Sequence, residues 1–140
     1  MSFTIEDMIL TGEKKYEMKF LAGQNGWANS ISWVHLLEDT TIIQNFWGKE
    51  LAVTTGLGFP QKEDWMNLAR KLNRYHASGL IINVGQYINE IPEELRAYCD
   101  ENDLPLLTVP WEVHLSDMIK DFIIRVFLQD NTDEQIASAL

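Results

Sequence analysis

Apolar runs alternate with amphipathic stretches along most of the chain. The runs are rich in β-branched and aromatic residues and are bounded mostly by turn-forming residues, which predicts strands. Pro105 cannot donate to a β-ladder, so pairing in the last strand is expected to begin after it. The predicted strands span residues 16–21, 31–37, 50–56, 80–85 and 104–109.

Between the strands, apolar residues recur at the three- and four-residue spacing of one helix face. Thr4, with Asp7 three residues later, predicts the cap of a first helix that ends at Gly12. Pro60 is expected in the first turn of a second helix, and Ser116 is expected to cap the last one. The predicted helices span about residues 5–10, 60–77, 91–101 and 116–129, with a short helical stretch near 41–46.

The succession of strand–helix units predicts right-handed crossovers and a parallel sheet. The almost wholly apolar run at residues 80–85 is typical of a parallel strand that is covered on both faces. We therefore predict one α/β domain with a mostly parallel sheet flanked by helices. Its expected span is residues 1–128, and residues 129–140 are expected to begin a linker to a downstream region.

Composition and charge narrow the class of protein. The chain has 140 residues, 46% apolar and 23% charged, which suits a single hydrophobic core. Its formal net charge of −10 repels phosphate backbones and anionic membrane surfaces. We expect a cytoplasmic protein that has no membrane partner and no DNA contact through this chain. One cysteine and three histidines without metal-binding spacing predict neither a disulfide nor a metal site.

Polar side chains follow the predicted parallel strands at the points where the strands end. In an open parallel sheet, ligands bind outside these carboxyl ends, near a switch in strand order. Hydroxyl, amide, imidazole and carboxylate groups beside aromatic surface can recognise a small, flat, hydrogen-bonding molecule. The candidate ligand-binding residues are His35, Glu38, Thr54, Thr55, Gly56, Asn83, Gly85 and Trp111.

Structural roles compete with each of these assignments. Thr54 and Thr55 are good strand formers, the glycines suit turns, and a lone histidine such as His35 is commonly a packed residue. Trp33 and Trp65 are expected in the core. The sequence has no phosphate-binding glycine motif and no nucleophile elbow, so we predict neither a cofactor nor an enzyme, and no catalytic residue.

An ordered set of short motifs resembles the N-terminal domain of purine-catabolism-regulator (PucR-like) transcription factors. The resemblance covers about Ile5 to Phe127, nearly the whole chain. The matching motifs are Phe20-Leu21-Ala22-Gly23, Asn25-Gly26, Ser32-Trp33-Val34-His35, Gly48-Lys49-Glu50-Leu51, Val53-Thr54-Thr55-Gly56, Gly79-Leu80-Ile81-Ile82, Ile91-Pro92 and Leu104-Pro105-Leu106-Leu107-Thr108-Val109-Pro110.

The resemblance implies a regulator's input module. In that family the domain precedes a central region and a helix-turn-helix that binds DNA, and it senses a metabolite or transmits a regulatory state. A purine-related or other nitrogenous metabolite and a homodimer are therefore the expected partners, with DNA bound only through a missing C-terminal domain. Trp27 and the pair Trp111-Glu112 depart from the family pattern and leave the ligand's identity open.

Three functions remain open at this point. The first is a metabolite sensor that acts through the helix at residues 116–129. The second is a dimerisation module without a ligand, because that helix carries a wide apolar stripe that includes Phe122, Ile123, Val126 and Phe127. The third, least supported, is a small enzyme that uses His35 with Glu38 or Glu112.

Overall fold

Five strands form one sheet in the computed structural model, which describes residues 2–139 and the side chains of residues 2–129. The strands are β1 (Lys19–Ala22), β2 (Trp33–Leu36), β3 (Glu50–Thr54), β4 (Gly79–Val84) and β5 (Leu106–Pro110). The α-helices are α1 (Ile5–Lys15), α2 (Lys62–Arg74), α3 (Glu93–Glu101) and α4 (Leu115–Ala139). Short 3₁₀ turns cover Gln24–Gly26 and Thr41–Asn45.

The sheet has the order β1-β5-β4-β3-β2, with β2 to β5 parallel and β1 antiparallel to β5. Each parallel strand lies beside the next one in the sequence, and Ile81 of β4 pairs with Val53 on one side and Leu107 on the other. The prediction of one α/β domain with a mostly parallel sheet flanked by helices is therefore confirmed.

Two apolar layers cover the sheet, one on each face. Successive strand residues point to opposite faces, so Leu51 and Val53 belong to one layer and Ala52 to the other. Residues of α1 and α4 build the first layer, including Met8 and Phe122, and residues of α2 and α3 build the second. The middle strands β3, β4 and β5 are consequently buried on both faces.

Thr4 caps α1 as predicted, and Asp7 completes the capping box. The predicted stop at Gly12 is wrong, because α1 continues to Lys15. Gly12 is buried where a Cβ atom would lie 3.1 Å from the side chain of Met18. Close packing against that side chain, not helix termination, explains the glycine.

Two other predicted helix starts are displaced. Pro60 lies outside α2, whose N-cap Gln61 donates its backbone amide to the Asp64 carboxylate at 2.9 Å. Ser116 lies inside α4, which begins at Leu115, and the amide of Met118 donates to the carbonyl of His114. The helix extends to Ala139, into the predicted linker at residues 129–140, most of which lies outside the residues whose side chains are described.

The two predicted core tryptophans differ in position. Trp65 is buried at 3% exposure, as expected, whereas Trp33 is 46% exposed. Trp33 lies on β2, and β2 is an edge strand with a neighbour on one side alone. The prediction for Trp33 is therefore wrong.

Asp121 joins α1 to α4 through a cluster of hydrogen bonds. Its carboxylate accepts from the Tyr16 hydroxyl at 2.5 Å, the Lys15 ammonium at 3.0 Å and the Arg125 guanidinium at 2.9 Å. Burial acts to raise the pKa of Asp121, but these hydrogen bonds and the Arg125 charge outweigh it and lower the pKa below its usual value.

Among the described residues, no helix is long and apolar enough to cross a membrane.

Replacing Gly23 by alanine is expected to lower the free energy of unfolding by about 3 kcal/mol. Gly23 has φ +79°, and a Cβ atom there would lie 2.1 Å from the carbonyl oxygen of Leu104. Gly48→Ala is the matched control, since φ is +115° but the added Cβ would meet only the His76 Cβ, at 3.9 Å. Urea denaturation should give a clearly smaller loss for the control. Equal losses would contradict the assigned close contact.

Asp121→Asn is expected to lower the free energy of unfolding by about 2 kcal/mol at neutral pH. Because the folded-state pKa of Asp121 is lowered, its contribution is present above the unfolded pKa of about 3.9 and is lost as the pH falls through the folded value. Denaturation measured from pH 7 to pH 2 should show the gap between the two proteins closing below about pH 4. Asp117→Asn, at an exposed position on the same helix, should change stability little throughout.

Candidate functional site

The predicted site residues lie where the parallel strands end, at what we call the carboxyl-end rim. His35 precedes the last residue of β2, Thr54 ends β3, Asn83 precedes the last residue of β4, and Trp111 follows β5. Because β2 to β5 are parallel, the ends of these strands lie at one edge of the sheet. Their contacts divide them into two groups.

Glu38 is the centre of the first group. Its carboxylate accepts from the Thr54 hydroxyl at 2.7 Å, the Thr55 hydroxyl at 2.5 Å and the Thr55 amide at 3.0 Å. The Gly58 amide lies 3.5 Å away, and the Gly56 amide donates to the Thr54 hydroxyl at 3.1 Å. Four of the predicted residues are thus joined to one another by hydrogen bonds.

This first group ties the loop after β2 to the loop after β3. Thr54 is fully buried, and Gly58 approaches so closely that an added Cβ atom would overlap the Glu38 carbonyl. An ionised carboxylate that receives several hydrogen bonds is a strong local anchor. The arrangement supports a structural role for these groups, and a ligand at this point must replace existing bonds.

His35 stands apart from Glu38. Its half-buried ring stacks on Phe46, with ring centroids 5.1 Å apart and an interplanar angle of 18°. Phe46 follows the 3₁₀ turn Thr41–Asn45, so the histidine holds that turn against β2. Within the described residues the imidazole forms no hydrogen bond to a carboxylate, so His35 and Glu38 do not act as a pair.

The second group contains Asn83, Gly85 and Trp111. The buried Asn83 amide donates to the carbonyl of Pro110 at 2.8 Å and thereby joins the ends of β4 and β5. Gly85 has φ +133°, and an added Cβ atom would lie 2.8 Å from the Trp111 Cβ. Trp111 is 40% exposed and forms a T-shaped ring contact with Tyr87.

Ile88 occupies the space between the two groups. Its carbonyl accepts from the Gly85 amide at 2.8 Å, and its side chain lies against Gly56, where an added Cβ atom would be 3.2 Å away. The loop after β4 therefore fills the rim between β3 and β4. Sequence analysis missed Tyr87 and Ile88, because neither belongs to a motif and both lie beyond the predicted end of the strand.

The chemistry of the described residues offers few catalytic groups. They contain no cluster of three or more His, Cys, Asp or Glu side chains placed to hold a metal ion. Cys99 is buried in α3, and burial, aided by the Asp100 charge, raises the pKa of its thiol to about 12. The thiol is consequently protonated at neutral pH and is a poor nucleophile.

The fold is that of a small α/β domain. Most polar side chains of its carboxyl-end rim form hydrogen bonds with other residues of the rim. Comparison with known proteins identifies the family. The model of the purine catabolism regulatory protein-like family matches residues 9–126. The chain therefore belongs to that family, and the resemblance seen in the sequence is confirmed.

One curated relative is much longer than this chain. The purine catabolism regulatory protein of Bacillus subtilis (strain 168) is 24% identical over 100 residues, which are 71% of this chain and 19% of the relative. The chain thus spans about a fifth of the length of that relative.

Glu38→Ala is expected to lower the free energy of unfolding by about 3 kcal/mol, because the buried Thr54 hydroxyl loses its acceptor. Glu13→Ala, at an exposed position on α1, is the control and should change stability by less than about 0.5 kcal/mol. Chemical denaturation measures both. A Glu38 variant as stable as the control would contradict the anchoring role.

Proposed function

We propose that this chain is a regulatory domain of a transcription regulator and that it works by pairing with a second copy of itself. The family to which it belongs supports the regulatory role. In this proposal, DNA is bound by another part of a longer regulator, in keeping with the net charge of −10 on this chain. The proposal assigns the chain no catalytic step.

The pairing surface is the α1–α4 face, defined by Leu10, Ile124 and Phe127. On α4, Met118, Phe122 and Val126 are buried against the sheet. Phe127 on the same helix is nevertheless 61% exposed, Ile124 is 46% exposed, and Leu10 on α1 is 70% exposed. Single exposed apolar residues are ordinary, whereas large ones grouped on adjoining helices are typical of interaction sites.

A groove runs along this face between α1 and α4. Its volume is about 580 Å³, and its lining includes Phe3, Asp7, Leu10 and Arg125. Leu10 lines this groove, whereas Ile124 and Phe127 protrude from α4 outside it, and a two-fold contact would set the exposed side chains of each copy against the groove of the other. A second copy of this chain is therefore the partner that the surface fits.

Charge distribution supports the same partner. Two copies that each carry a net charge of −10 repel each other over most of their surfaces. Residues 115–129 contain two acidic and two basic side chains, so this part of α4 is close to neutral. Contact through the α1–α4 face therefore avoids much of the repulsion.

Metabolite sensing at the carboxyl-end rim is the second candidate. The hydroxyl, carboxylate and amide groups gathered there favour it, because they match a small nitrogenous compound. A ligand there would replace the hydrogen bonds around Glu38, so its own contacts must be at least as favourable as the bonds that are lost. Thermal denaturation with nucleobases and their breakdown products tests this candidate, and no shift at millimolar concentration would contradict it.

The chain is expected to be a dimer at micromolar concentration, and Phe127→Glu is expected to raise the dimer Kd at least about 30-fold. The new carboxylate would be buried without a partner in the paired state. Sedimentation equilibrium over a concentration series measures the Kd of the wild type and the variant.

Leu57→Glu is the matched control, because Leu57 is 58% exposed in a loop remote from the α1–α4 face. Its dimer Kd should equal that of the wild type. A wild-type chain that stays monomeric at millimolar concentration, or a Phe127 variant that dimerises as tightly as the control, would refute pairing through this face.

A further inference from the structure

A polar cavity of about 260 Å³ lies at the edge of the sheet where the parallel strands begin. This amino-edge cavity is on the opposite edge from the carboxyl-end rim. Asn29 precedes β2, Lys49 precedes β3, Ser78 precedes β4 and Asp103 precedes β5. Segments that are far apart in the sequence thus meet in its lining.

The Ser78 hydroxyl is a buried polar group with no hydrogen-bond partner among the described residues. The residue is 2% exposed, although its backbone is fully bonded. Its backbone amide donates to the Glu50 carbonyl at 2.8 Å, and its carbonyl accepts from the side-chain amide of Asn29 at 3.2 Å. Because burying an unpaired hydroxyl is unfavourable, a bound molecule that supplied a partner would gain binding energy here.

The backbone around the cavity is unusual as well. Lys49, His76 and Asp103 have φ values of +71°, +60° and +55°, and all three line the cavity. Glu17 is the one other non-glycine residue with positive φ in the described part of the chain. Such conformations are costly for L residues and cluster at functional sites. The Lys49 amide donates to the His76 carbonyl at 2.7 Å and fixes two of these residues together.

The side chains of the lining offer opposite charges and neutral amides. Neither Lys49 nor Asp103 forms an ion pair within the residues that the structure describes. The Asn73 amide makes only long contacts, each of 3.4 Å, to the Tyr98 hydroxyl and to Asn102. These groups are therefore free to exchange their present surroundings for a polar ligand.

We propose that the amino-edge cavity binds a small zwitterion of the amino-acid class. Lys49 attracts the carboxylate, Asp103 attracts the ammonium group, and the neighbouring asparagine amides bind the polar remainder. The cavity volume equals that of about nine water molecules in the liquid, a size that suits one small molecule. This site is distinct from the predicted rim, and the proposal does not depend on pairing through the α1–α4 face.

Thermal denaturation of the full chain with each of the standard L-amino acids at about 10 mM tests the proposal. At least one amino acid is expected to raise the Tm by about 5 °C, the shift produced by a roughly 10-fold excess over the Kd. The corresponding acid without the amino group and the corresponding amine without the carboxylate should each give a clearly smaller shift. No shift with any amino acid, or an equal shift with either analogue, would overturn the proposal.

Variants assign the binding to the cavity. Lys49→Gln removes the charge but keeps a polar side chain that is one atom shorter, and it should raise the ligand Kd at least about 10-fold by calorimetry. Lys14→Gln, at an exposed position on α1, should leave the Kd unchanged. Ser78→Ala should raise the Tm of the unliganded chain while weakening binding. If Lys49→Gln does not fold, Asp103→Asn provides the same comparison, and equal affinity in the cavity and control variants would refute the site.

Discussion

Burial of β3, β4 and β5 on both faces is the constraint on which the rest of the structure depends. The chain moves in one direction across the sheet from β3 to β5, so crossovers of the same hand place α2 and α3 on one face. The other face must then be covered by the segments before β1 and after β5, which are α1 and α4. No loop connects these two helices directly, and the hydrogen bonds of Asp121 link them across the sheet face. The exposed α1–α4 face is therefore a consequence of how the sheet is wound.

Local patterns were sufficient for the central elements and insufficient at the margins. The apolar run that became β4 is buried on both faces, so its composition alone identifies it as a strand of a parallel sheet. No local pattern specifies strand order. The sequence therefore does not show that β2 is an edge strand, and the prediction of Trp33 as a core residue is wrong for this reason. The helix end predicted at Gly12 is wrong for a similar reason. The glycine makes room for the Met18 side chain, and this contact exists only in the folded chain.

Prediction of the site met the same limit. Parallel strands bring their carboxyl ends to one edge, so the rim residues could be chosen from the sequence. Which of them bond to one another could not be chosen, because Glu38 reaches Thr54 and Thr55 only after β2 and β3 have paired. The amino-edge cavity was missed altogether, since its lining comes from separate loops and includes no motif. Its clearest signals, an unpaired hydroxyl and left-handed backbone, are properties of the folded chain.

One short segment connects the amino-edge cavity with the α1–α4 face. Asn29 lines the cavity, and its carbonyl accepts from the amide of Ile5 at 2.9 Å, at the start of α1. Beside it, the amide of Ile31 donates to the carbonyl of Phe3 at 2.8 Å, and Phe3 lines the groove of the α1–α4 face. A ligand that bonds to Asn29 therefore acts on the backbone that positions α1. If ligand binding favours the paired arrangement, then pairing must raise the affinity for the ligand by the same factor.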